Sequence, residues 1–158
     1  MKQEIEEYKK EGFTGFVPVE QLRSSASLIP KMQGVYIVIR PSESEPVFLE
    51  KGTGGFFKSK DPNVAISELQ AKYVPESAVV YIGKATTLHE RIKQLLNFGA
   101  GKSVGHRGGR YLWQLADSAS LLVAWKTTPM EEPREVEKKM LEDFEGRHGR
   151  LPFANLQS

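Results

Sequence analysis

Tyr81-Ile82-Gly83-Lys84-Ala85-Thr86-Thr87-Leu88-His89-Glu90-Arg91 passes from strand to helix within eleven residues. A tyrosine, a β-branched residue and a glycine in succession favour a pleated, half-buried strand whose backbone something else approaches closely. Thr87 and Glu90 are spaced as a capping box, so Leu88 onward is predicted as helix, with Leu88, Ile92, Leu95 and Leu96 forming its apolar stripe through Phe98. Lys84 and Arg91 flank the junction. Unpaired N–H groups and positive dipole at a helix start, together with a lysine and an arginine, favour phosphate there.

Outward from this stretch, Gly34-Val35-Tyr36 opens a second run of the same composition, Gly34 to Ile39. Antiparallel pairing of the two runs would bring the Tyr36 and Tyr81 phenols together. Leu121 to Thr127 reads as a third strand, Arg110 to Leu115 as a helical segment and Pro133 to Arg147 as a long helix. The first dozen residues read as a short exposed helix, Gly12 to Pro18 as its break, and Val19 to Ser25 as one further turn. The predicted fold is α/β (α+β): a small, mainly antiparallel, three-stranded core sheet flanked by helices. Residues 1–33 form an N-terminal helical extension and residues 34–158 the main domain. Between the first two core strands, about 41–77, four prolines and Gly52-Thr53-Gly54-Gly55 mark a turn-rich insertion. It is expected to hold short strands at 47–49 and 56–57 and a helical turn near 67–73. The insertion either shapes substrate choice or decorates an edge.

A chain of 158 residues with 27% charged and 39% hydrophobic side chains fits one soluble domain. No apolar run approaches the roughly 20 residues of a spanning helix, and Met1 to Lys10 is too charged for a signal peptide, so a cytoplasmic protein without a membrane partner is expected. Without cysteine, and with three scattered histidines, any metal must rest on oxygen ligands, which points to Mg2+ or Mn2+. The net charge of +2 hides a segregation. From 84 to 110, Lys84, Arg91, Lys93, Lys102, Arg107 and Arg110 face Glu90 alone, whereas from 131 to 145 acids outnumber bases seven to three. Such asymmetry is either a nucleic-acid face or ordinary solvated surface.

On the final helix, Val136, Met140, Leu141 and Phe144 define an apolar face, and at about 100° per residue Glu137 falls inside it while Glu135, Glu142 and Glu145 face solvent. An inward carboxylate needs a partner, which is either a buried arginine or a bound cation. Arg91 borders its helix's apolar stripe, so its guanidinium can snorkel toward the sheet and fork onto a non-bridging phosphate oxygen.

The order of these landmarks resembles the GIY-YIG nuclease family. Gly34-Val35-Tyr36 stands for the first tripeptide and Tyr81-Ile82-Gly83 matches the second in full. Lys84, Arg91 ten positions after Tyr81, Glu137 and Asn155 follow in the family's order. The resemblance covers about 34–156, and it departs from the family in separating the two tyrosines by 45 positions. What it implies is a metal-dependent endonuclease that hydrolyses phosphodiester bonds, with DNA the expected substrate. Tyr36, Tyr81, Lys84, Arg91 and Glu137 would be catalytic, Glu137 would hold Mg2+ or Mn2+, and Asn155 would support the site. A tyrosine would orient or deprotonate the attacking water, Tyr81 being favoured with Tyr36 as its hydrogen-bond partner and with Lys84, Arg91 and a metal lowering its pKa. The spacing from Glu137 to Asn155 leaves Glu142 and Asp143 as rivals for the acidic role, and the helical wheel favours Glu137. The alternative function is a nucleic-acid-binding module of the same fold with weak or lost catalysis. A third possibility is a partner-binding protein that uses the insertion.

Gly99 to Arg110 is rich in glycine and basic residues. Gly101-Lys102-Ser103 would need a glycine where Leu96 stands, and a helix precedes it, so nucleotide triphosphate binding is rejected. The segment is either a basic loop that grips a nucleic-acid backbone through Lys102, His106, Arg107 and Arg110, with Lys93 of the preceding helix as a further binding residue, or a plain connector.

Overall fold

A computed structural model describes residues 2–103 and 108–156. Among the described residues nine regular elements follow in the order α1 (Lys2–Lys10), β1 (Thr14–Pro18), α2 (Val19–Leu22), β2 (Gly34–Ile39), α3 (Ile66–Lys72), β3 (Val79–Ala85), α4 (Leu88–Gly99), β4 (Leu122–Thr127) and α5 (Pro133–His148), with short 3-10 turns between some of them. The sheet has four strands, not three, in the order β1-β4-β2-β3, and every pairing is antiparallel. The added strand is β1, drawn from the segment that reads as a helix break. Its glycines and proline depress strand propensity, but pairing with β4 through a bulge between Gly15 and Val17 overrides that. Any side chain at Gly15 would meet the Trp125 ring within 2.9 Å, so the glycine that looks like a breaker makes room for the indole.

All six residues of β2 are buried, as expected of a strand covered on both faces. On one face Tyr36, Val38 and Tyr81 pack with Leu88, Ile92, Leu95 and Leu96 of α4. On the other face Val35, Ile37, Ile39 and Ile82 pack with Leu141 and Phe144 of α5, and Phe13 after α1 joins them. The insertion lies on the α4 face. Its expected strands reduce to isolated bridges, Phe48 with Leu115 and Phe57 with Lys60, and its helix is α3. Buried Gln114 ties it down, accepting from the Val64 N–H at 2.9 Å and donating to the Leu49 and Val64 carbonyls. The expected helical segment after the glycine-rich loop is a 3-10 turn, Arg110–Gln114. Among the described residues no helix is long and apolar enough to cross a membrane.

Candidate active site

The β2–β3 register places Tyr36 directly opposite Gly83, and Val38 opposite Tyr81. Gly83 has no side chain because the Tyr36 phenol occupies that space: a Cβ there would lie 2.6 Å from Cε1 of the ring. Tyr36 and Tyr81 stack at a tilt, with centroids 6.0 Å apart. Arg91, one turn into α4, brings its Cζ to 6.0 Å from the centroid of the Tyr36 ring. Both the Tyr36 hydroxyl and Arg91 Nη1 are buried without a hydrogen-bond partner among the described residues.

Lys84 and Glu137 approach from the other side of the sheet. Lys84 lies opposite Val35 and so projects toward α5, where its Nζ sits 3.4 Å from Glu137 Oε1. Glu137 is 16% exposed, the inward placement that the helical wheel predicts, but its partner is a lysine rather than the arginine considered as the alternative to a cation. Its negative charge raises the pKa of both tyrosines, which places it beside them electrostatically.

A cleft of about 350 Å³ opens between the start of α4 and the start of α5, lined by Lys84, Thr87, Arg91, Gln94, Glu132 and Arg134 among others. Arg134 is the residue that sequence reasoning missed. It sits in the acid-rich run of α5, where the local charge balance conceals it; only the approach of two helix starts reveals it. The predicted binding residues Lys93 and Lys102 are exposed, and Arg110 lies over the Tyr111 ring at 5.6 Å, but none of the three lines this cleft. His106 and Arg107 fall outside the described residues. Asn155 works on the backbone: its side chain accepts from the Ile82 N–H and donates to the Ile82 carbonyl, both at 2.9 Å.

Two local expectations are corrected. Thr87 makes no side-chain cap, and the Leu88 and His89 N–H groups are taken by the Met32 and Pro30 carbonyls at 2.8 and 3.1 Å. The Leu88 and His89 N–H groups therefore do not await a phosphate, and side-chain attraction for an anion in the cleft falls to Lys84, Arg91 and Arg134, opposed by Glu90 and Glu132. The phenol pKa values are not lowered either. Burial pushes Tyr36 well above its ordinary value, with the neighbouring Tyr81 adding to it, and burial also raises Tyr81. Arg91 pulls both down, but desolvation of a phenolate in this packed interior outweighs it. Both phenols are neutral near pH 7.

The described residues hold no cluster of three acidic or imidazole groups suited to a metal. The donor set at Glu137 is one carboxylate. That fits Mg2+, which keeps several waters and binds through one or two carboxylates plus substrate phosphates, better than it fits a dedicated protein cage.

The chain matches no protein-family model, no curated protein and no solved structure.

Proposed function

We propose that this protein is a metal-dependent endonuclease of GIY-YIG type that hydrolyses phosphodiester bonds, with DNA as its substrate. The observation that carries the reading is Arg91, whose Nη1 is buried without a hydrogen-bond partner among the described residues and which lines, with Lys84 and Arg134 and against Glu90 and Glu132, the cleft between the starts of α4 and α5. A buried donor without a partner costs about 1–3 kcal/mol, so Arg91 Nη1 calls for an occupant of complementary chemistry. A phosphate oxygen in the cleft supplies that acceptor.

In this reading Arg91 holds a non-bridging oxygen and faces the charge that builds there during attack. Tyr81, kept neutral by burial, orients the attacking water through its hydroxyl and does not deprotonate it. Tyr36 fixes the ring of Tyr81 and the guanidinium. Glu137 would hold the divalent cation, which when bound supplies Lewis-acid stabilisation of the developing charge. Asn155 keeps β3 in place beneath them.

Supercoiled plasmid with Mg2+ tests the proposal. Nicking by the wild type that vanishes in both Glu137→Ala and Arg91→Ala supports it. Salt-sensitive binding without nicking would instead support the nucleic-acid-binding module.

A further inference from the structure

Lys84 has two possible engagements. It leaves the sheet on the α5 side and meets Glu137 at 3.4 Å, yet the same side chain lines the cleft that holds Arg91 and Arg134. The two partners differ in mobility: the lysine side chain is 48% exposed, and the carboxylate 16%. The carboxylate is fixed on a helix, and the ammonium rides on a flexible four-carbon stem. No other ion pair of Glu137 exists among the described residues. The lysine is thus the counter-ion of the inward acid.

An ammonium and a dication compete for Glu137 Oε1. Their repulsion a few ångström apart far exceeds what a half-exposed ion pair contributes. Lys84 must leave Oε1 before a divalent cation can take it, and the cleft that it also lines offers the Glu90 and Glu132 carboxylates and room for a bound anion.

We infer that Lys84 is a displaceable placeholder. It keeps the Glu137 carboxylate aimed, and it is released to a phosphate when a divalent cation takes the carboxylate. This rests on the reading of Glu137 as the metal ligand. It also makes the two ligands cooperative: a phosphodiester that draws Lys84 into the cleft unmasks Glu137, and by linkage the cation favours the phosphodiester equally.

The test is Mn2+ binding to the full chain without nucleic acid, read from the electron paramagnetic resonance signal of free Mn2+. Lys84→Met should bind Mn2+ about fivefold more tightly than the wild type, the size expected when a half-exposed competing ion pair is removed. Lys138→Met removes the same charge from the neighbouring exposed position on α5 and should change affinity less than about twofold. Glu137→Gln should lose the site. If Lys84→Met binds no tighter than Lys138→Met while Glu137→Gln still loses the site, the placeholder is refuted and the metal assignment survives. If Glu137→Gln binds as the wild type does, the metal assignment falls and takes the placeholder with it.

Discussion

The contact between Gly83 and Tyr36 is the sharpest structural commitment of the site, and Gly83→Ala probes it directly. The added methyl would lie 2.5 Å from the Tyr36 hydroxyl oxygen and 2.6 Å from Cε1. Unstrained contacts of this kind lie at about 3.5–4.0 Å, so something must move by roughly 1 Å. The ring has nowhere to go: Tyr36 is fully buried, and β2 is held between β3 and β4. Overpacking of a well-filled core costs about 1–3 kcal/mol, and with both sides of the contact fixed the upper half of that range applies, about 2–3 kcal/mol. In urea, with a slope near 2 kcal/mol/M, the unfolding midpoint should fall by about 1 M. Tyr36→Phe supplies the internal control. It removes a buried hydroxyl but leaves Cε1 against the added methyl, so alone it should leave stability unchanged or slightly raised, and combined with Gly83→Ala most of the loss should remain. An unchanged midpoint in Gly83→Ala, or a loss above about 1 kcal/mol in Tyr36→Phe, would refute the packing argument.

Three further outcomes are expected. Spectrophotometric titration should find Tyr36 and Tyr81 ionising only above the ordinary tyrosine value of 10.0; because the folded pKa is raised, their contribution to stability is complete below pH 10 and is lost as pH climbs toward the folded values, so a normal titration of all five tyrosines near pH 10 would contradict the burial argument. Asn155→Ala strips partners from both the N–H and the carbonyl of Ile82 and should cost about 2–4 kcal/mol in denaturant unfolding; a loss below about 0.5 kcal/mol would show that water replaces the amide. Arg134→Met should weaken binding to a short duplex and reduce the slope of log affinity against log salt by up to about 0.9, and an unchanged slope would remove Arg134 from the phosphate contacts.

What was legible in the chain was local chemistry with a short-range cause. The runs 34–39 and 78–82 announce themselves as strands through tyrosine, valine and isoleucine, although the second continues to Ala85 where the sequence reads as a turn, and the inward placement of Glu137 follows from helical periodicity alone. Long-range geometry was not legible in the same way. Nothing local says that Gly15 yields its space to Trp125, so β1 reads as a break and the sheet comes out one strand short. The cap of α4 fails for a similar reason: carbonyls from Pro30 and Met32, more than fifty residues upstream, reach the N–H groups that Thr87 would otherwise serve. Burial decides the tyrosine pKa values, and burial is a property of the assembled core. Arg134 was hidden because charge was counted along the chain, whereas the cleft gathers charge across two helices.

The position of β3 in the sheet accounts for how the groups are gathered. It is an outer strand, and alternation sends Tyr81 and Gly83 toward α4 but Lys84 toward α5. On an interior strand those two sets would be separated by neighbouring backbone on both sides; at the edge one side is open, so that Lys84 reaches Glu137 while also lining the cleft that holds Arg91. An outer strand also carries unpaired backbone groups that invite slippage or pairing with another chain. The C-terminal segment closes them, with Ala154 donating to the Val80 carbonyl at 2.8 Å and Asn155 taking both groups of Ile82. The asparagine therefore contributes to the proposed chemistry through register. By fixing Ile82 it fixes Tyr81 and Gly83 on either side, and any loosening there would open the gap into which Tyr36 is fitted.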